Sequence, residues 1–259
     1  RILVRDGNAI AARASTGVRI VFSGRAAHAS EPQNGRNPLL PIGRLLADGL
    51  VTELPDRLIE AGTLSPQIMG GKALITPVHA NVGEPANFGI LPADGLLCLT
   101  LRADTTEDLE ILRDACEALV LRVAAEYEVD VDSFSTHEWF PATWNSKRCT
   151  QVVKRVVQDM TVAYDEGLID PAVPQARPQV EFEDMAAPFP WSEDMGVFTD
   201  AATSGGVLFG IGAGVDHPAL HSETYDFPDA LLGVGIDLWT RIAVEALSPR
   251  SFSYNASRG

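Results

Sequence analysis

Residues 95–123 read GLLCLTLRADTTEDLEILRDACEALVLRV, and the two periods in this stretch decide the fold class. Over Gly95–Arg102 the leucines at 97, 99 and 101 alternate with other residues, which places them on one face of a strand. From Thr105 the period changes. Leu109, Leu112, Cys116, Leu119 and Val123 recur at steps of three and four, the stripe of a helix that buries one side. Thr105 and Asp108 form a T-x-x-D pattern at its start, a weaker relative of the capping box with Glu. Working outward, VRIVF at Val18–Phe22 alternates as a strand, and a further strand falls near Glu128–Phe134. Ala73–Val82 also reads as a strand, with Pro77 weakening its middle or marking an edge. Asn37 caps and Pro38 opens a helix carrying Leu39, Ile42, Leu46 and Leu50. Leu54–Gly71 reads as a loop or broken helix. The resulting order, β-α-β-β-α-β, is the split βαβ arrangement of ferredoxin-like domains, expected here over residues 14–136.

The flanks, residues 1–13 and 137–259, are expected to form a second α/β layer. An amphipathic helix is predicted over Ser146–Met160. A Pro- and acid-rich stretch follows from Asp165 to Pro190, mostly loop, with a short strand around Gln179–Glu181. Val207–Gly212 reads as an apolar strand, Ala213–Asp226 as a His-containing loop, and Pro228–Leu247 as a final helix. Strand, loop and helix in that order suit an α/β layer, but the strands are too few for a freestanding domain. The sequence opens RILVRDGNAI without Met, so the missing strands are expected from sequence before Arg1.

Composition narrows the function classes. The chain has 259 residues, 46% of them apolar, and a formal charge of −15, as expected of a folded protein rather than a disordered or collagenous one. That excess of negative charge argues against nucleic acid or an anionic membrane surface as a partner. No apolar run approaches the roughly 20 residues of a membrane-spanning helix. Cys98, Cys116 and Cys149 have neither disulfide-framework nor metal-knuckle spacing. Cys98 and Cys116 lie inside apolar patterns and are expected as buried thiols, in keeping with a cytoplasmic protein.

Few residues carry a chemical signal. His28 lies in a loop among small residues, where an imidazole can approach a ligand or simply bond to nearby backbone. His79 falls on a strand and reads as structural, and His137, at a domain junction, is uninformative. His217 and His221 stand in DHPALHSE; the H-x-x-x-H spacing would put both on one face of a helix, but Gly212, Gly214 and Pro218 oppose a helix there. One ligand is therefore expected rather than two. Asp194, after Ser192 and Glu193, reads first as the N-cap of a short helix. Dinucleotide, P-loop and serine-hydrolase signatures do not occur in the sequence.

Taken in order, the motifs resemble a family. GRAAHASEP at 24–32 followed by GRNP at 35–38 resembles the inserted lid domain of M20 metallopeptidases. NFGILP at 87–92 resembles the Asn-x-x-Pro segment of that lid, with four residues rather than two between Asn87 and Pro92, and TLRA at 100–103 follows at the usual place. WSEDM at 191–195, VLFGIG at 207–212 and LHSETYDF at 220–227 resemble the end of the catalytic domain. The set is most similar to the amidohydrolase branch, which acts on N-acyl amino acids and aminobenzoyl-glutamate.

The resemblance implies a ferredoxin-like lid and dimerisation domain plus the C-terminal part of a zinc-peptidase-like catalytic domain. It implies two divalent metal ions, zinc by default, with manganese, cobalt or nickel fitting comparable ligands. His221 matches the final metal-binding His. His28 matches the catalytic lid His that reaches the active site of the partner subunit of a homodimer paired through the lids. Asn87 and Arg102 match positions holding the substrate carboxylate or the reacting carbonyl, and Ser192 and Glu193 match a segment lining the substrate site. The implied reaction is hydrolysis of an amide in a small molecule, an N-acyl amino acid or peptide-like substrate. The upstream metal ligands and the general base of the family have no counterpart in this sequence, so the chain alone is expected to be inert. The alternative is a non-catalytic binding or assembly module built on the ferredoxin-like domain.

Overall fold

The computed structural model describes residues 1–66, 73–165 and 180–248. In chain order it contains β1 (Ile2–Val4), β2 (Ala9–Ala12), β3 (Ala14–Ser23), β4 (Ala27–His28), α1 (Leu39–Ala47), α2 (Leu54–Glu60), β5 (Leu74–Val82), β6 (Ile90–Leu91) and β7 (Asp94–Ala103). There follow α3 (Thr106–Glu126), β8 (Asp130–Phe140), β9 (Thr143–Asn145), α4 (Lys147–Asp165), β10 (Phe182–Asp184), α5 (Met195–Ala201), β11 (Phe209–Ile211) and α6 (Leu231–Leu247). Among the described residues the chain divides into two compact units. One is built from Ala12–Thr143 with Phe189–Val197, the other from Arg1–Ala11, Trp144–Pro188 and the chain from Phe198 on.

The first unit holds a four-stranded antiparallel sheet in the order β5-β7-β3-β8. With α1 after β3 and α3 after β7, this is the β-α-β-β-α-β order read from the sequence, with α2 added. The alternation is satisfied in register. Ile20 lies opposite Leu97 and Val18 opposite Leu99, all four at most 2% exposed. Against this face pack Leu109, Leu112, Cys116, Val120 and Val123 of α3 and Ile42 and Leu45 of α1, all buried. Each buried leucine or valine contributes about 1.5–3 kcal/mol relative to exposure. Thr105 caps α3 as expected, its Oγ1 accepting from the Asp108 N–H at 3.0 Å. Asn37 Oδ1 accepts from the Leu39 N–H at 3.0 Å, fixing the start of α1.

Several expectations are corrected. In α1 the inward positions are Ile42 and Leu45, and Leu39 is exposed. Cys98 is half-buried, not buried. The parity that turns Leu97, Leu99 and Leu101 inward turns Cys98 to the other face, opposite Arg19 and His79. The last strand runs on to Phe140, six residues past the expected end at Phe134. Pro77 does not break β5; the register slips between Pro77 and His79, a bulge that accommodates the residue lacking an N–H. The stretch read as a loop or broken helix opens with the short helix α2, in keeping with the second of those readings, and its residues 67–71 lie outside those described.

In the second unit β1 is the centre of a three-stranded sheet, parallel to β10 and antiparallel to β11. Ile2 and Val4 turn inward and pack with Val153, Val156, Val157 and Met160 of α4 and Val234 and Leu238 of α6. Asn145, 1% exposed, ties this unit together: its Nδ2 donates to the carbonyls of Arg5 (3.0 Å) and Leu208 (3.2 Å), and its Oδ1 accepts from the Leu208 N–H at 2.7 Å. The short strand expected around Gln179–Glu181 is found at Phe182–Asp184, and Gln179 lies outside the described residues. The final helix begins at Leu231 rather than Pro228. Its opposite face leaves Leu232, Ile236, Trp239, Val244 and Leu247 exposed. Among the described residues no helix is long and apolar enough to cross a membrane.

Candidate functional site

The loop after β3 positions His28. At Gly24 a β-carbon would sit 2.0 Å from the Arg36 carbonyl oxygen, and at Gly35 it would sit 2.9 Å from the Arg25 carbonyl oxygen. Only glycine permits these approaches. They let Arg25 and Arg36 exchange backbone hydrogen bonds of 2.8 and 2.9 Å, which close the loop at its base. Arg25 Nε then donates to the Asn34 carbonyl at 2.7 Å. The loop's outer limb, β4, pairs with β6, His28 opposite Ile90, and the Ala29 N–H donates to the Gly89 carbonyl at 2.9 Å. His28 is therefore exposed on a short ribbon alongside the segment that carries Asn87. Asn87 is also exposed, and Ala86 before it takes a left-handed φ of 64°. That conformation costs an alanine roughly 1–2 kcal/mol.

A second group forms in the same unit. Arg102 projects from β7 on the face away from the helices, and its Nη1 donates to Ser192 Oγ at 3.0 Å and to the Pro190 carbonyl at 3.4 Å. The sequence reading named Arg102 and Ser192 separately, ninety residues apart, and the fold brings them into contact. Burial, and then the neighbouring Arg13 charge, hold the Arg102 guanidinium below its ordinary pKa. No carboxylate among the described residues lies within ion-pair distance of it. Glu193, next to Ser192, is exposed, as is Asp194, and α5 follows at Met195.

Beneath this group lies a pair that sequence reasoning missed. Arg13 and Asp104 are 4% and 2% exposed, and Arg13 Nε donates to Asp104 Oδ1 at 2.8 Å. The Arg13 N–H donates to the Trp191 carbonyl at 3.2 Å, and the Trp191 ring stacks on Phe189 at 4.8 Å. These contacts anchor the segment that presents Ser192. The available signal was Arg13 inside the apolar AIAARAST run, a charge where burial needs a partner.

His221 belongs to the other unit. It is exposed and takes φ 64°, a left-handed conformation that His adopts more readily than most residues. Of the six expected site residues, it alone belongs to this unit. His217, four residues earlier, faces main chain on both sides: Nδ1 lies 2.9 Å from the Pro218 carbonyl oxygen and Nε2 2.7 Å from that of Asp226, and a neutral ring donates to one of the two. Tyr225 meets its ring edge-on at 5.4 Å. Among the described residues no group of three or more His, Cys, Asp or Glu could hold a metal ion. The described part of the chain therefore does not by itself fit a metal centre. A shallow cleft of about 420 Å³ in the first unit, lined by Pro32, Arg36, Asn37, Tyr127 and Glu128 among others, includes none of the expected site residues.

No family model matches the sequence, and no curated protein matches it. Solved structures do. A protein designated an aminohydrolase from methicillin-resistant Staphylococcus aureus superposes with a TM-score of 0.67 at 14% identity, over 96% of this chain and 56% of that one. The aminobenzoyl-glutamate utilization protein of Klebsiella pneumoniae matches with a TM-score of 0.59 at 17% identity, over 93% of this chain and 53% of its own. The YxeP protein of Bacillus subtilis, described as a dinuclear metal-binding peptidase of the M20 family, matches with a TM-score of 0.58 at 14% identity, over 95% and 53%. The mixed α/β fold is thus shared with these three structures, and the chain spans a little over half the length of each.

Proposed function

We propose that this chain is the substrate-holding part of a metal-dependent hydrolase that cleaves the amide bond of an N-acyl amino acid or small peptide-like substrate, and that it is inert alone. The observation that carries the reading is Arg102. Its guanidinium is half-buried, is steadied through Nη1 on Ser192, and faces no carboxylate of its own among the described residues. The Nε–Nη2 edge is left to receive a substrate carboxylate side-on by two parallel hydrogen bonds. Removing water around that edge strengthens the contact. Asn87 donates its amide to the substrate near the reacting carbonyl, Ser192 and Glu193 border the bound acid, and His28 donates to the carbonyl oxygen as negative charge develops on it. Such a donor is worth about 3–4 kcal/mol to the reaction.

In this reading two divalent ions, zinc by default, are held mainly by residues other than those described here, with His221 contributing one ligand. The unit of action is a homodimer paired through the lid, in which His28 serves the partner's site. The edge strand β5 supports that pairing. It is nine residues long, hydrogen-bonded on one side to β7 and without Lys, Arg, Asp or Glu; Pro77 and the bulge beside it blunt its middle, so the open edge for pairing is the His79–Val82 end. Two copies across a twofold axis would close it. Three free cysteines support a cytoplasmic setting.

The test is hydrolysis of N-acetyl and N-benzoyl amino acids by the full product of the gene, supplied with zinc, manganese, cobalt or nickel. Arg102→Ala should raise KM at least tenfold for substrates bearing a free carboxylate and leave the matching amides nearly unchanged, with metal content retained. His221→Ala should lose metal. An equal effect of Arg102→Ala on both substrate types would refute the carboxylate assignment. Absence of both hydrolysis and bound metal in the full product would refute the enzyme and leave the non-catalytic module.

A further inference from the structure

The geometry around His28 points to a role for Ser30 as the residue that fixes which ring nitrogen carries the proton. The Ser30 backbone N–H donates to His28 Nδ1 at 3.2 Å, and Ser30 Oγ lies 2.7 Å from the same nitrogen. A backbone amide can only donate, so Nδ1 must offer its lone pair. The hydroxyl, which can donate or accept, then joins as a second donor to that lone pair. In the neutral ring the hydrogen is therefore on Nε2. Nε2 has no partner among the described residues, and the side chain is exposed. Ser30 thus turns His28 into an outward-facing N–H donor.

The surrounding loop holds this arrangement. The Glu31 N–H donates to the His28 carbonyl at 2.9 Å, and Asn34 Nδ2 donates to Glu31 Oε2 at 3.0 Å. His28 and Ser30 are thereby kept on a tight turn, with the ring folded back over the amide two residues on. The consequence is a choice among chemistries. A general base or a metal ligand at the exposed position needs a lone pair on Nε2; a stabiliser of developing negative charge needs a hydrogen there. The hydrogen-bonding pattern supplies the hydrogen. What this donor meets rests on the hydrolase reading above; the tautomer does not.

The two parts are separable by experiment. The chain, labelled with nitrogen-15 in histidine, is measured by long-range proton–nitrogen correlation at a pH where the ring is neutral. His28 should show the Nε2–H tautomer in clear excess over free histidine under the same conditions. Ser30→Ala, which removes one of the two donors, should move His28 toward the free-histidine pattern, and Ser30→Thr should restore the excess. A wild-type pattern equal to free histidine, or an Nδ1–H pattern, would overturn the assignment, as would a Ser30→Ala spectrum indistinguishable from wild type. In the full gene product Ser30→Ala should lower kcat roughly tenfold with KM held, less than loss of the donor itself, and Ser30→Thr should recover it. The expected tautomer together with no hydrolysis would overturn the hydrolase reading and leave the role of Ser30 standing. Hydrolysis with kcat unmoved by Ser30→Ala would overturn Ser30 as a positioning residue for the reaction.

Discussion

Replacing Asp104 by Ala isolates the buried ion pair as the anchor of the Arg102 group. Arg13 and Asp104 are almost wholly shielded from water and joined at 2.8 Å. Removing the carboxylate leaves the guanidinium in the interior without the charge that faces it. Breaking a buried pair in this way costs about 3–5 kcal/mol, whereas exchanging both partners for apolar residues of similar volume is often neutral. Against a total stability of about 5–15 kcal/mol this is a large share. At 2–4 °C per kcal/mol, typical of chains of this size, melting should fall by roughly 6–20 °C. The double variant Arg13→Met/Asp104→Leu should recover most of the loss. Denaturant unfolding and calorimetry of all the variants, at low and high salt, provide the assay. Since the pair is buried, salt should change the difference little. A loss under about 1 kcal/mol in Asp104→Ala would refute the reasoning; so would a double variant no better than the single one.

Three further outcomes follow from particular contacts. Leu112→Ala should cost about 2–5 kcal/mol by leaving a cavity under the sheet, while Leu121→Ala, on the exposed side of α3, should stay within about 0.5 kcal/mol; urea midpoints compare them. Thr105→Ala should lower stability by about 1 kcal/mol through loss of the α3 cap, with Thr105→Ser close to wild type in the same titration. Burial pushes the Cys116 thiol from 9.0 up to about 12, so the folded state favours the protonated form. That stability is fully present below about pH 9 and is lost as pH rises toward 12, where the unfolded chain has released a proton the folded one retains. Cys116→Val should flatten the alkaline decline in unfolding free energy, and iodoacetamide should label Cys98 and Cys149 well before Cys116 in native protein.

Much of the first unit was legible because two signals agreed locally. The alternation of Leu97, Leu99 and Leu101 and the three-four spacing behind Thr105 each specify one face, and the two faces meet in the core. The same alternation turns Cys98 outward, because strand parity decides its face and an apolar neighbourhood in sequence is not burial in space. The apolar run around Arg13 marks a buried charge that needs a partner, but Asp104 as that partner is not legible, because it lies ninety-one residues away and neither spacing nor composition reports such a contact. Arg102 and Ser192 were named through motif order and not through any local pattern. For His221 the sequence offers a spacing and the fold offers an exposed, left-handed turn, and its expected companions are not among the described residues.

The central strand of the second unit has a kinetic implication. Ile2–Val4 hydrogen-bonds to Phe182–Asp184 on one side and Phe209–Ile211 on the other, partners about 180 and 205 residues downstream. At a synthesis rate of about 5–20 residues per second, this Ile-Leu-Val segment waits on the order of 10–40 s for its first strand partner to be synthesised. The intervening sheet and helices of residues 12–143 can form meanwhile, and the pairing of β2 with β9 then holds the two ends of that insert together. Early folding of the insert would replace a long, entropically costly loop with a short one. The insertion that separates the strands of the second unit in sequence thus shortens the loop that their pairing must close.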